Sequence, residues 1–133
     1  MIEIPVVLLE RDLFFVTRIR ESLKTAGRPV VVVKSADDLR ARLAAKMQIA
    51  LLMVSIGTPD TGWEAAIAMA RAANLPVLAY GAHVDSAAQT AAREAGATRV
   101  IGNSKLAGDI VAQVEQTLAR ASRTDVVAET TED

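Results

Sequence analysis

The chain has 133 residues, of which 51% are hydrophobic and only 3% aromatic, with a formal net charge of -1. That length and composition fit one domain whose core is built mainly from aliphatic residues and alanine, and they argue against disorder. The near-zero charge gives no general pull toward nucleic acid or acidic membrane, the lack of cysteine excludes disulfides, Cys-ligated zinc and thiol catalysis, and the single histidine, His83, rules out a multi-histidine metal site within one chain.

No apolar run approaches the roughly 20 residues needed to span a bilayer. The N-terminus, MIEIPVVLLERD, lacks the basic region and small-residue cleavage site of a signal peptide. The expectation is a cytoplasmic protein with no membrane or nucleic-acid partner.

Ile4–Leu9 is an apolar run opened by Pro5 and reads as the first strand. Asp12 follows as an N-cap, and helix one is expected from about Leu13 to Thr25. Phe15, Ile19, Leu23 and Ala26 recur at helical spacing, and Gly27 stands where a C′ residue is wanted. Pro29 opens a second strand, Val30–Val33. Ser35 caps helix two, whose inner face carries Leu39, Leu43 and Met47, with Arg40, Arg42 and Lys46 as its solvated face.

The next stretch, Ile49–Gly62 (IALLMVSIGTPDTG), is the centre of the chain. Ile49–Val54 is too short for a helix and suits a central parallel strand covered on both faces. Ser55 ends it, and Gly57, Pro59 and Gly62 break the backbone. Thr61-Gly62-Trp63-Glu64 has the pattern of a capping box, with Thr61 as N-cap of helix three. That helix runs to about Ala73, with Ile67 and Ala70 inward, and Asn74 and Pro76 stop it.

Pro76–Tyr80 is the fourth strand. Gly81-Ala82-His83-Val84 leads to Asp85 or Ser86 as cap of an alanine-rich fourth helix ending at Gly96. Thr98–Ile101 is the fifth strand, and Gly102-Asn103-Ser104 the last turn. Helix five is expected from about Lys105 to Arg120, with Ile110, Val114, Leu118 and Ala121 inward. The domain formed by these elements covers residues 1–121, and 122–133 is expected to be a flexible, polar and acidic tail.

Strand and helix alternate with no two strands close enough for a hairpin, so the strands are parallel and joined by right-handed crossovers. The expected fold class is α/β: a flavodoxin-like, doubly wound five-stranded parallel sheet in the order 2-1-3-4-5, with helices on both faces. Ligands of such sheets bind beyond the carboxyl ends of the strands.

The charged cluster Glu10-Arg11-Asp12 after strand one, Gly57 and Pro59 after strand three, Leu75-Pro76-Val77 entering strand four and Glu94-Ala95-Gly96-Ala97-Thr98 before strand five resemble the receiver domain of two-component response regulators. The resemblance covers about Ile4 to Arg120. It implies an acidic pair for Mg²⁺ after strand one, an Asp phosphoacceptor ending strand three, a Thr or Ser after strand four and a Lys after strand five. In this sequence the acidic pair falls on Glu10 and Arg11, the acceptor on Ser55, the hydroxyl position on Gly81 and the Lys on Asn103. Only Glu10 keeps the implied chemistry. A serine hydroxyl cannot form an acyl phosphate, and Mg²⁺ wants several hard oxygen ligands. The resemblance is therefore to a degenerate pseudo-receiver lacking the phosphoacceptor Asp, with no metal and no cofactor expected.

Each residue of this pocket also has a plainer reading. Arg11 either pairs with Glu10 in the space of a metal or points into solvent. Ser55 is a small strand-end residue with a local hydrogen bond, or a ligand contact. His83 is a ligand contact at the mouth of the pocket or an exposed loop residue. Trp63 anchors a partner or covers the start of helix three, and Asn103 donates to a ligand or helps cap helix five. The loops for FMN, cobalamin, dinucleotide and P-loop binding are missing, and a catalytic triad lacks a placed histidine.

The sequence reading is a stand-alone signalling module, not an enzyme, that binds another protein. Helix four–strand five–helix five is the expected surface, and a homodimer is one form of it. The alternative is a small-molecule or anion sensor that reuses the ring of Glu10, Arg11, Ser55, Gly81 and Asn103, with room opened by Gly81.

Overall fold

The computed structural model describes residues 3–132, with side chains from Glu3 to Ser122. Five parallel strands form one sheet: β1 (Val6–Leu9), β2 (Val30–Val33), β3 (Leu51–Ser55), β4 (Val77–Gly81) and β5 (Arg99–Gly102). Their order is β2-β1-β3-β4-β5, as expected from the alternation of elements. The helices are α1 (Leu13–Thr25), α2 (Ala36–Ala44), α3 (Trp63–Ala72), α4 (Ser86–Ala95), α5 (Asn103–Gly108) and α6 (Ile110–Glu132).

The continuous apolar runs are buried because both sheet faces are covered. Val7, Leu9, Leu52, Val54, Val77 and Ala79 face α2, α3 and α4 through Leu39, Ile67, Ala70, Ala88 and Ala92. Val6, Leu8, Leu51, Met53, Leu78 and Tyr80 face α1 and the last two helices through Ile19, Leu23, Leu106, Ile110 and Val114. Register aligns the strand exits. Leu9 pairs with Val54, Ser55 with Tyr80, and Gly81 with Gly102.

Local signals act where the sequence places them. Asp12 accepts the N–H groups of Phe14 at 2.9 Å and Phe15 at 3.4 Å and starts α1. Gly27, at φ 80°, ends that helix. Its N–H reaches Lys24 O and the Arg28 N–H reaches Leu23 O, the paired bonds of a Schellman end. Ser35 and Asp85 cap α2 and α4. Strands β4 and β5 each begin one residue later than the apolar runs. The Val77 N–H bonds the Thr98 hydroxyl at 3.0 Å, so a side chain takes the first rung of that ladder.

Three expectations change. Thr61 is not the N-cap of α3. Gly62 holds that place at φ 70° without a side-chain cap bond, while the Thr61 hydroxyl donates to Thr58 O at 3.2 Å. The carbonyl of Thr61 accepts the Ala36 N–H at 2.8 Å, which draws the β3–α3 loop onto the start of α2. That tertiary bond overrides the local capping pattern. Second, the helix expected over 105–120 is two helices. Asp109 is extended at φ -162° and its carboxylate accepts the Ala112 N–H at 3.0 Å, capping α6 afresh. Third, the α6 backbone continues through Ser122 to Glu132; of the tail expected over 122–133, the side chains from 123 on lie outside the described residues.

Gly62→Ala distinguishes the two cap assignments by sign. Inside a helix it would stabilise by about 1 kcal/mol. Here the new Cβ meets Ala36 Cβ at 2.9 Å on a left-handed backbone. The urea midpoint therefore falls, by an equivalent of more than about 1 kcal/mol.

Candidate functional site

The chain leaves β1 toward β2 on one side and β3 toward β4 on the other, so the crevice between the exits of β1 and β3 is the switch point of the sheet. Glu10 follows β1 there, and Ser55 ends β3. In register they share a row with Tyr80 of β4, on the face covered by α1.

Glu10 is 7% exposed. Its Oε2 accepts the backbone N–H groups of Arg11 and Asp12, both at 3.0 Å. Its Oε1 accepts the Tyr80 hydroxyl at 2.8 Å. Tyr80 is fully buried, and its ring lies 5.9 Å from that of Phe15, tilted by 32°. Burial, and then the neighbouring Glu10 charge, push the Tyr80 phenol far above the ordinary tyrosine range. The phenol therefore stays a donor, and the carboxylate is committed to three protein hydrogen bonds.

Arg11 does not pair with Glu10; it is exposed, and its guanidinium is held by backbone carbonyls. Its Nη2 donates to Asp60 O at 2.9 Å and its Nε to Lys34 O at 3.3 Å. It thus ties the loop after β1 to those after β2 and β3. Ser55 is half-buried, with its hydroxyl 3.4 Å from that of Thr58. This is the local hydrogen bond of the plainer reading.

Gly81 does not open room. A Cβ built there meets Ile56 Cγ1 at 2.7 Å and Ile56 O at 3.2 Å. Ile56 is itself buried, so its side chain already fills the place where a hydroxyl residue would project. Asn103 opens α5 and stands apart from Glu10, lining a separate depression of about 550 Å³ with His83, Ser104 and Lys105. The ring of five expected residues is thereby divided. Glu10 and Ser55 share the switch point, Arg11 bridges over it, Gly81 is packed, and Asn103 faces His83.

Trp63 is half-buried against the first core cluster, at the start of α3. Gln89 is half-buried, and its amide donates to the carbonyls of Ala82 and His83 at 3.3 Å each. Sequence reasoning missed Tyr80 and Ile56. The signal for Tyr80 was present: a lone tyrosine ending an apolar strand wants a polar partner for its hydroxyl. Among the described residues, no three His, Cys, Asp or Glu side chains come together as a metal site. No described helix is long and apolar enough to cross a membrane.

No family model and no curated protein matches the sequence. Solved structures do match. A receiver domain protein (CheY-like) from Methanospirillum hungatei JF-1 superposes with a TM-score of 0.77 at 14% identity, covering 92% of this chain and 99% of its own. A response regulator receiver domain from Clostridium thermocellum gives 0.73 at 15% identity, with 91% and 98% covered. The receiver domain of NtrX from Brucella abortus gives 0.73 at 16%, with 86% and 98% covered. The fold is that of a response-regulator receiver domain. The superpositions span almost the whole of each receiver domain.

The packing of Ile56 against Gly81 is testable as a coupled pair. Gly81→Thr overpacks the site and destabilises the chain by about 2 kcal/mol. In the Ile56→Ala background the same substitution costs at least about 1 kcal/mol less, as a double-mutant cycle by urea unfolding reads directly.

Proposed function

We propose that this chain is a receiver-like signalling module that does not run the aspartyl-phosphate and Mg²⁺ cycle and works, without catalysis of its own, by binding another protein. The observation that supports this most is the state of Glu10. On this fold the Mg²⁺ position after β1 has one carboxylate, and its oxygens are spent on Tyr80 and two backbone N–H groups. A metal there would displace a buried, charge-assisted hydrogen bond. In this reading Ser55 takes the acceptor position, Asn103 that of the Lys and Gly81 that of the hydroxyl residue, and Ile56 packs against Gly81.

A protein partner suits the surface. Leu13 and Phe14, which open α1 just after the Glu10 loop, are 79% and 75% exposed, and Val84 in the β4–α4 loop is 88% exposed. Large apolar side chains in water at the mouth of a site favour burial against a partner. The α4–β5–α6 face is the second surface of this reading, with a second copy as one occupant. Its alanines Ala88 and Ala92 pack on the chain's own sheet, and α4 turns Ala87, Thr90, Arg93 and Glu94 outward.

Two-dimensional NMR of the full chain, with and without Mg²⁺ and beryllofluoride, tests the central statement. Amide peaks of Glu10, Ser55 and Asn103 are expected to stay in place. Saturable shifts there that spread into α4 would establish a working, unconventional switch and overturn the proposal.

A further inference from the structure

The sheet ends at β2, which pairs with β1 alone. The Val6 N–H bonds Pro29 O at 2.9 Å, which sets the phase of the parallel ladder. Val31 and Val33 therefore turn their backbone groups toward β1, and Val30 and Val32 turn theirs away from the sheet. Among the described residues, nothing bonds the outward N–H and C=O groups of Val30 and Val32. The next outward residue, Lys34, is satisfied: its N–H reaches Asp38 Oδ2 at 3.3 Å and its carbonyl accepts the Arg11 Nε–H at 3.3 Å. Native sheets guard such edges with proline or charge. Here Pro29 and Lys34 bracket the strand, and valines alone fill it.

A groove of about 550 Å³ runs beside this edge, lined by Thr17, Arg20, Glu21 and Lys24 of α1 with Pro29 and Val30. The side chains of Val30 and Val32 pack on the face of the sheet that α1 covers. Charge is distributed differently on the two sides of the edge. On α2, Asp37 pairs with Arg40 and Asp38 with Arg42. In the groove, Arg20 and Lys24 outnumber Glu21, and among the described residues none of these three side chains makes an ion pair or a hydrogen bond.

Unpaired edge groups beside a helix accept an extended chain as an added strand, with main-chain bonds giving affinity and alternate side chains giving specificity. Residues of that strand opposite Val30 and Val32 point into the groove, where Arg20 and Lys24 favour carboxylates. A second copy fits poorly. Antiparallel pairing of Val30 with Val32 of another copy brings valines rather than carboxylates to each groove, and sets Lys34 of each copy toward Arg28 of the other. We infer that β2 and its groove bind an extended, acidic segment of a partner protein by strand addition. The inference rests on the protein-binding function proposed above and adds the form and charge of the partner.

The test is NMR of the full chain titrated with a short peptide that alternates glutamate and valine, to about 10 mM at fixed ionic strength, about tenfold above a 1 mM dissociation constant. Saturable shifts at Val30, Val32, Arg20 and Lys24 are expected, and the Val30 and Val32 amides, open to solvent exchange in the free chain, become protected. Val32→Pro removes an outward N–H and none that bonds β1, so it should abolish the shifts in a chain that keeps its sheet. Arg20→Glu combined with Lys24→Glu, at exposed positions, should weaken binding about tenfold, and a lysine–valine peptide should bind the native chain at least about tenfold more weakly. No saturable shift with the glutamate peptide, or shifts that survive both Val32→Pro and the double charge reversal, overturn the proposal. Equal binding of the lysine peptide overturns the acidic partner, and protection of Val30 and Val32 by self-association without peptide overturns the choice of partner in favour of a second copy. The underlying protein-binding function is tested at the peaks of Glu10, Ser55 and Asn103, none of which lines this groove, so the two fail separately.

Discussion

The hydrogen bond from Tyr80 to Glu10 is the constraint on which the functional end of this molecule depends. A buried carboxylate is costly unless its oxygens are satisfied. Here the phenol takes one oxygen, and the first two backbone N–H groups after the glutamate take the other. The arrangement fixes the direction in which the chain leaves β1. It places Asp12 at the N-terminus of α1, and sets Phe15 against the Tyr80 ring. It also brings Arg11 within reach of the two neighbouring loops. The resemblance to receiver domains implies a metal and a phosphoryl group at this corner. In this chain the same corner is closed by protein contacts.

Closure changes what the fold is suited to do. The residues that stay open lie around the crevice: Leu13, Phe14 and Val84 in solvent, and His83 with Asn103, Ser104 and Lys105 about a shallow depression. In the function proposed above, a molecule of this kind works as a scaffold rather than as a phosphorylation switch, and its input is a protein partner.

The sheet was legible because its strands are continuous aliphatic runs separated by short caps and glycines. Asp12, Ser35 and Gly27 act through neighbours two to five residues away, so spacing alone places them. The site was less legible because its contacts are distant in sequence. Tyr80 reaches Glu10 across 70 residues, and Arg11 reaches Asp60 across 49. A glycine at position 81 reads as space until Ile56 is seen to fill it. The capping pattern at Thr61 was a sound local signal, overridden by the bond from Ala36 that no local window contains. Asp109 has the chemistry of a cap, but its helix was already assigned an earlier start at Lys105.

Because Tyr80 is the sole tyrosine, its ionisation can be followed cleanly by ultraviolet difference spectroscopy. Its folded pKa is raised, so the bond's contribution to stability is complete below about pH 10, the unfolded value, and is lost as pH rises beyond it. The account predicts that the phenol does not titrate while the chain is folded, and that tyrosinate appears only together with alkaline unfolding seen by circular dichroism. A tyrosine that ionises near pH 10 in a chain that keeps its fold would show that Glu10 is not sealed by Tyr80 and would contradict the account.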